Sequence, residues 1–182
     1  IQTPICDFGQ KAIPFELKST DNKILSLEDI KGENGTLIMF ICNHCPYVKA
    51  VTKEIVEDCN ELKKIGINSV AICANDAENY PEDSFENMIK FSKDNNFNFP
   101  YLNDETQNIA KAYDAVCTPD FFGYNKNLEL QYRGRLRELR NLIPVKEGES
   151  DLLKAMKQIA NTGEGPKDQI PSAGCSIKWK TN

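Results

Sequence analysis

The stretch Thr36-Leu37-Ile38-Met39-Phe40-Ile41-Cys42 is an unbroken apolar run of strand length, preceded by Gly32 and Gly35 and leading directly into Asn43-His44-Cys45-Pro46. A run this short with no polar alternation has to be covered on both faces, which predicts the central strand of a sheet with helices on either side. Immediately after it, Val48, Val51, Ile55, Cys59 and Leu62 recur at steps of three and four, and Gly66 ends the pattern. That is an amphipathic helix with a glycine stop. Two cysteines therefore stand where a buried strand hands over to a helix.

The rest of the chain repeats the alternation. Residues 13 to 30 read as a short hairpin around the polar turn Ser19 to Lys23, feeding a helical turn at Leu27 to Ile30. Ile67 to Cys73 reads as a second buried strand. Pro81, Glu82 and Asp83 read as the opening of a helix that carries Phe85, Met88, Ile89 and Phe91, acids at its start as the helix dipole prefers. A calcium loop fails there for want of the loop glycine and terminal glutamate. Phe99 to Leu102 follows as a strand and Asp104 to Tyr113 as a helix. Phe121 to Tyr124 and Leu128 to Arg133 form a hairpin across Asn125-Lys126-Asn127, and Asp151 to Ala160 is a last helix. The expected fold class is α/β, a mixed central sheet flanked by helices with an N-terminal hairpin. Residues 1–162 are expected to form one domain. Residues 163–182, rich in Gly, Pro and Ser, are expected to be an irregular tail packed on it, with Trp179 as anchor.

Composition removes several function classes. The length of 182 residues suits one domain. With 27 acids against 22 bases the net charge is −5, which repels a phosphate backbone, so no nucleic-acid partner is expected. The longest apolar run, Leu37 to Cys42, is six residues, far short of the ~20 that span a bilayer. No membrane partner is expected. The opening Ile1-Gln2-Thr3-Pro4 has neither a basic leader nor an apolar signal core, and a trimmed start is the expectation. Seven irregularly spaced cysteines do not make a secreted disulfide scaffold, so a cytoplasmic location is expected.

The chemistry sits in Cys42-Asn43-His44-Cys45. A helix N-terminus offers unpaired N–H groups and the positive end of the dipole, both of which favour a thiolate. Cysteines at i and i+3 can close a small disulfide ring, so one attacks a substrate disulfide and the other resolves the mixed disulfide. A structural zinc site would need a second C-x-x-C or paired histidines, and His44 is the only histidine. No resident metal or cofactor is expected. Cys59 and Cys73 fall on apolar faces and read as small core hydrophobes. Cys6 lies in a terminal segment, where it either exchanges with the site or is simply covered. Arg133, Arg135, Arg137 and Arg140 form the only basic cluster, read as a solvated strand end, with an anion-binding surface as the alternative.

This strand, C-x-x-C and helix resemble the thioredoxin superfamily, and Cys117-Thr118-Pro119-Asp120-Phe121-Phe122 resembles the loop carrying that superfamily's cis-proline. The N-terminal hairpin, the extra helix and the stretch Phe121 to Gly134 resemble its redoxin branch, which includes the alkyl hydroperoxide reductase/thiol-specific antioxidant proteins. Ile41-Cys42-Asn43-His44-Cys45-Pro46-Tyr47-Val48 and Pro171-Ser172-Ala173-Gly174-Cys175-Ser176-Ile177-Lys178-Trp179-Lys180 are similar to bacterial peroxiredoxin-like proteins of the thioredoxin family. The resemblance implies a thiol–disulfide oxidoreductase, its partners a protein or small-molecule disulfide and a cellular thiol reductant. It places Thr118 and Pro119 in a substrate groove facing the cysteines.

Cys42, expected to be the more exposed, is read as the nucleophile and Cys45 as the resolving thiol. His44, just before the second cysteine as in disulfide isomerases, is read as tuning the pair, with a solvated loop histidine as the alternative. Cys117 and Cys175 are candidate auxiliary thiols, each with a packing alternative. Two departures from the related patterns matter. The buried acid that thioredoxins carry six residues before the first cysteine falls at Thr36. The two peroxide-activating positions of peroxiredoxins fall at Ile38 and Cys42, with Cys45 at the attacking position. The alternatives to disulfide exchange are a thiol peroxidase working through Cys45, and a Cu(I)-binding module built on Cys42, His44 and Cys45.

Overall fold

The computed structural model describes residues 1–181. Its centre is β3 (Gly35–Phe40), buried at every residue. It pairs in parallel with β4 (Ile67–Cys73) and antiparallel with β7 (Asp120–Asn125). Around them a seven-stranded mixed sheet runs β2-β1-β5-β4-β3-β7-β8, with β1 Glu16–Ser19, β2 Ile24–Ser26, β5 Tyr101–Asn103 and β8 Leu130–Tyr132.

Strand side chains alternate between faces, so the apolar run of β3 builds two cores at once. Leu37, Met39 and Ile41 pack with Val48, Val51, Ile55 and Leu62 of α2 (Pro46–Lys64) and with Leu152 and Met156 of α5 (Asp151–Thr162). Ile38 and Phe40 pack on the other face, with Leu27 and Ile30 of α1 (Leu27–Ile30) and Ala110 of α4 (Asn108–Ala112). Each fully buried Val, Leu or Ile contributes about 1.5–3 kcal/mol, and this doubly covered strand carries much of the fold. No described helix is long and apolar enough to cross a membrane.

Several local expectations are corrected. Pro81–Asp83 is a separate 3-10 turn, and Ser84 caps the true helix α3 (Phe85–Asp94) by accepting the Asn87 N–H. α4 starts four residues later than expected because Asp104 turns back to accept the Ile109 and Ala110 amides, holding residues 104–107 as a turn. Trp179, with Lys111 Nζ over its ring, is 37% exposed and does not by itself anchor the C-terminal segment. Buried Ile177 does so, together with Gln107, whose side chain bonds Lys178 O and the Lys180 N–H. The segment also adds β11 (Cys175–Ser176), antiparallel to β6 (Cys117–Thr118).

Nor is the arginine cluster solvated. Arg133 is buried against Asp120 at 2.9 Å, and Arg137 against Glu54 at 2.7 Å. Arg135 pairs with Asp151, and Arg140 alone is fully exposed. Arg137 also donates to Val145 O and Gly148 O, holding the loop that carries the small hairpin β9 (Leu139–Arg140) and β10 (Ile143–Pro144).

Candidate active site

The last rung of the β3–β7 ladder pairs Phe40 with Asp120. Beyond it the two chains face each other, Ile41 and Cys42 leaving one strand while Thr118 and Pro119 enter the other. Cys42 Sγ lies 3.5 Å from Thr118 Oγ1, and Cys45 Sγ lies 3.4 Å from Thr118 O. The Thr118–Pro119 peptide bond is cis. Cys45 is the N-cap of α2 with Pro46 at the first helical position, where the missing N–H of proline costs nothing.

Cys42 and Cys45 are each only 1% exposed. The expected greater exposure of Cys42 is therefore absent, and charge separates the two sulfurs instead. Cys45 is held low, chiefly because Cys42 donates its proton toward it, with Cys175, the Val48 amide and Thr118 assisting. Cys42 is pushed up by that same proton sharing, by burial and by the Asp83 carboxylate. The helix dipole and the acid both favour Cys45 over Cys42 as the place for a thiolate.

Asp83 is the residue that the sequence reading assigned to a solvated helix start. Its side chain is fully buried, and it accepts the Asn43 N–H at 2.8 Å and the Asn75 side-chain amide at 2.8 Å. Asn43 in turn donates to Glu82 O and accepts the Tyr101 hydroxyl at 2.7 Å. The C-x-x-C loop is thus bolted onto the Pro81–Asp83 turn, which brings a buried acid to the loop, whereas β3 carries Thr36. His44 Nδ1 approaches Asp83 Oδ2 to 2.7 Å, near enough for an ion pair but off the line of a hydrogen bond, while Tyr80 stacks on the imidazole. The donor atoms that gather within 4.8 Å are those of Cys42, His44 and Asp83. A carboxylate in place of the second thiolate makes this a harder set than Cu(I) prefers.

Cys175 reaches the site from the C-terminal segment. It pairs in register with Thr118, packs on the core that contains Cys42 and Cys45, and its thiol is pushed up to about 11 by burial and by the neighbouring Cys45. Cys117 is fully buried, its thiol directed to Pro119 O and pushed up to about 12 by burial. Cys59 and Cys73 are core thiols pushed up to about 12. Cys6 is part-buried and raised to about 11. Beside Pro119 a groove of about 220 Å³ is lined by Tyr47, Val51, Phe121, Leu136 and Ile170.

Residues 8–138 match the AhpC/TSA family. Among solved structures, an uncharacterized conserved protein from Geobacillus kaustophilus is 44% identical with a TM-score of 0.94, covering 100% of this chain and 97% of that one. A hypothetical protein from Sinorhizobium meliloti 1021 is 32% identical with a TM-score of 0.90, covering 100% of this chain and 98% of that one. The thioredoxin domain of a thiol-disulfide oxidoreductase from Bacteroides vulgatus shares the fold at 16% identity, with a TM-score of 0.59 over 73% of this chain and 89% of that one. No curated protein matches by sequence.

Proposed function

The chain belongs to the AhpC/TSA family and has its thioredoxin-like fold, and from that premise we propose that it is a thiol–disulfide oxidoreductase working through Cys42 and Cys45. The observation that carries the reading is the placement of both sulfurs on Thr118, beside the cis Thr118–Pro119 bond and at the start of α2. The lowered Cys45 thiolate attacks a sulfur of a substrate disulfide, the departing sulfur leaves as a thiolate, and Cys42 then displaces the second substrate sulfur to close Cys42–Cys45. Attack from Cys45 reverses the roles expected from exposure. Thr118 and Pro119 form the wall on which an extended substrate lies, and the apolar groove next to Pro119 receives its side chains. Asp83 accepts the proton that Cys42 must lose to act as resolving thiol. His44, the one part-exposed member of that cluster, passes it to water. The disulfide substrate and a cellular thiol reductant are the only partners this chemistry needs, and a cytoplasmic setting supplies the reductant.

A second reading is a thiol peroxidase with Cys45 attacking the peroxide, favoured by the same lowered thiol. Ile38 and Cys42 stand at the positions that activate peroxide in peroxiredoxins, which places it second. Mixing the fully reduced protein with oxidised glutathione and, separately, with hydrogen peroxide in a stopped-flow instrument decides between them. Disulfide exchange predicts rapid closure of Cys42–Cys45 by glutathione disulfide and oxidation by peroxide no faster than a free-thiol control. Peroxide oxidation far above that control, lost only in Cys45→Ser, would make the protein a peroxidase. If neither reagent closes the pair, the oxidoreductase reading is wrong.

A further inference from the structure

Cys45 has a thiol neighbour on each side. Cys42 approaches from the strand exit, and Cys175 from β11, where it pairs with Thr118, whose carbonyl oxygen lies 3.4 Å from Cys45 Sγ. The position of Cys175 is built rather than incidental. Ser172 Oγ donates to Pro119 O at 2.7 Å, and the Ile177 N–H bonds Val116 O, so residues 172–177 are laced along the strand that carries Thr118. Gly174 is pressed so closely on Thr118 that a Cβ there would meet its carbonyl oxygen at 2.1 Å. That carbonyl oxygen is the one that lies 3.4 Å from Cys45 Sγ.

Exposure gives this arrangement a purpose. Cys42 and Cys45 are covered, whereas Cys175 is part-exposed. A disulfide closed between the two covered sulfurs is hard for an external thiol to reach, and one shared with Cys175 is open from the solvent side.

We propose that Cys175 is a third exchange thiol of this site, which moves the disulfide from Cys42–Cys45 to Cys45–Cys175 and so presents it to the reductant. The proposal rests on the oxidoreductase reading. In the step, the Cys175 sulfur gives up its proton and attacks Cys45 Sγ. The Cys45–Cys175 bond forms, the Cys42–Cys45 bond breaks, and Cys42 leaves with the bonding pair and takes up the proton. No net oxidation occurs, so no further reagent is needed. Cys42, raised by burial and by Asp83, is well suited to keep that proton. Cys175 is itself raised to about 11, first by burial and then by the neighbouring Cys45 thiolate, and the part due to Cys45 vanishes once Cys45 is in a disulfide. An external thiol then attacks Cys175 and releases Cys45, the better leaving group.

Disulfide mapping of the full chain tests this. Wild type, Cys42→Ser and Cys175→Ser are equilibrated in glutathione buffers from reducing to oxidising, quenched in acid, alkylated and digested with trypsin without reduction. Cys42 and Cys45 share the peptide 32–49, and Cys175 lies on 168–178. Wild type should give 32–49 lighter by two hydrogens and also 32–49 joined to 168–178 through Cys45. Cys42→Ser should give the joined peptides, and Cys175→Ser only the internal disulfide. An internal disulfide in wild type, with the joined peptides missing from both wild type and Cys42→Ser, overturns the relay and leaves the oxidoreductase reading standing. Joined peptides with no internal disulfide in any sample keep Cys175 as an exchange thiol of Cys45 and overturn the Cys42–Cys45 dithiol.

Discussion

His44 Nδ1 stands 2.7 Å from Asp83 Oδ2, the imidazole one-third exposed and the carboxylate wholly buried. The acid also holds the Asn43 amide, so a single carboxylate fixes the C-x-x-C loop and sets the field felt by Cys42. Charge on Asp83 disfavours a Cys42 thiolate, and removing it lowers the pH at which Cys42 ionises.

Asp83→Asn retains an oxygen for the Asn43 amide, deletes the charge and gives up the acceptor of the Asn75 side chain. The alkylation rate of Cys42, followed against pH in the Cys45→Ser background, should rise at lower pH than it does with Asp83 present. An unshifted profile would show that the carboxylate is structural only.

A cation beside the thiol pair stabilises the reduced, thiolate form and raises the reduction potential. His44 supplies that cation when protonated, and its removal leaves the Asp83 charge unopposed. The potential measured against glutathione should lie above the about −270 mV of thioredoxin and fall in His44→Phe. A wild-type value at or below that of thioredoxin rules out the tuning role.

The parts of this site that local pattern specifies were legible in the sequence. Strand, C-x-x-C and helix are consecutive, so apolar run, spacing and stop signal place Cys42 and Cys45 without tertiary information. Asp83 was not legible, because nothing in Pro81-Glu82-Asp83 distinguishes an acid buried under a loop forty residues earlier from one at a solvated helix start. Its neighbour Glu82 has the same local signal and is exposed. The arginines failed for a related reason. A basic cluster reads as surface until the partners Asp120 and Glu54 are brought in from elsewhere in the chain. Cys175 was visible as a thiol, but its approach to Cys45 depends on β11 pairing with β6, which a two-residue strand does not announce.

The Arg137–Glu54 pair is almost fully buried, and the guanidinium also satisfies two backbone carbonyls. Breaking a buried pair by deleting one partner costs about 3–5 kcal/mol, because the other charge is left without compensation. Arg137→Leu should lose that much in urea denaturation. A loss below about 1 kcal/mol would place the pair in the class of weak surface bridges.

Asp58 sits under α5, bonded to Ser150 Oγ at 2.6 Å, and burial raises its carboxyl from 3.8 to about 6. The folded state therefore binds this proton more tightly than the unfolded chain does. Its stabilising contribution is present below about pH 4 and is lost as the pH rises through about 6. Asp58→Asn removes the titration and keeps an acceptor for Ser150. The variant should match wild type near pH 4 and exceed it at pH 7.5, by up to about 3 kcal/mol. A constant difference across that range would assign the effect to packing.

Gly174 offers the sharpest separation of the two disulfides. A methyl group there meets the Thr118 carbonyl at 2.1 Å and its carbon at 2.7 Å, backbone atoms that cannot swing aside as a side chain would. Relief comes from β11 lifting off β6, since that two-residue pairing is the weaker contact, whereas β7 beyond Pro119 is locked to β3 over six rungs. Lifting β11 carries Cys175 away from Cys45 and leaves Cys42 where it is. Gly174→Ala should therefore lose the Cys45–Cys175 link on oxidation, keep Cys42–Cys45, and be reduced by external thiols more slowly than wild type. Retention of the link in Gly174→Ala would mean that β11 reaches Cys45 without the close fit at Thr118, and that the glycine serves the segment's path alone.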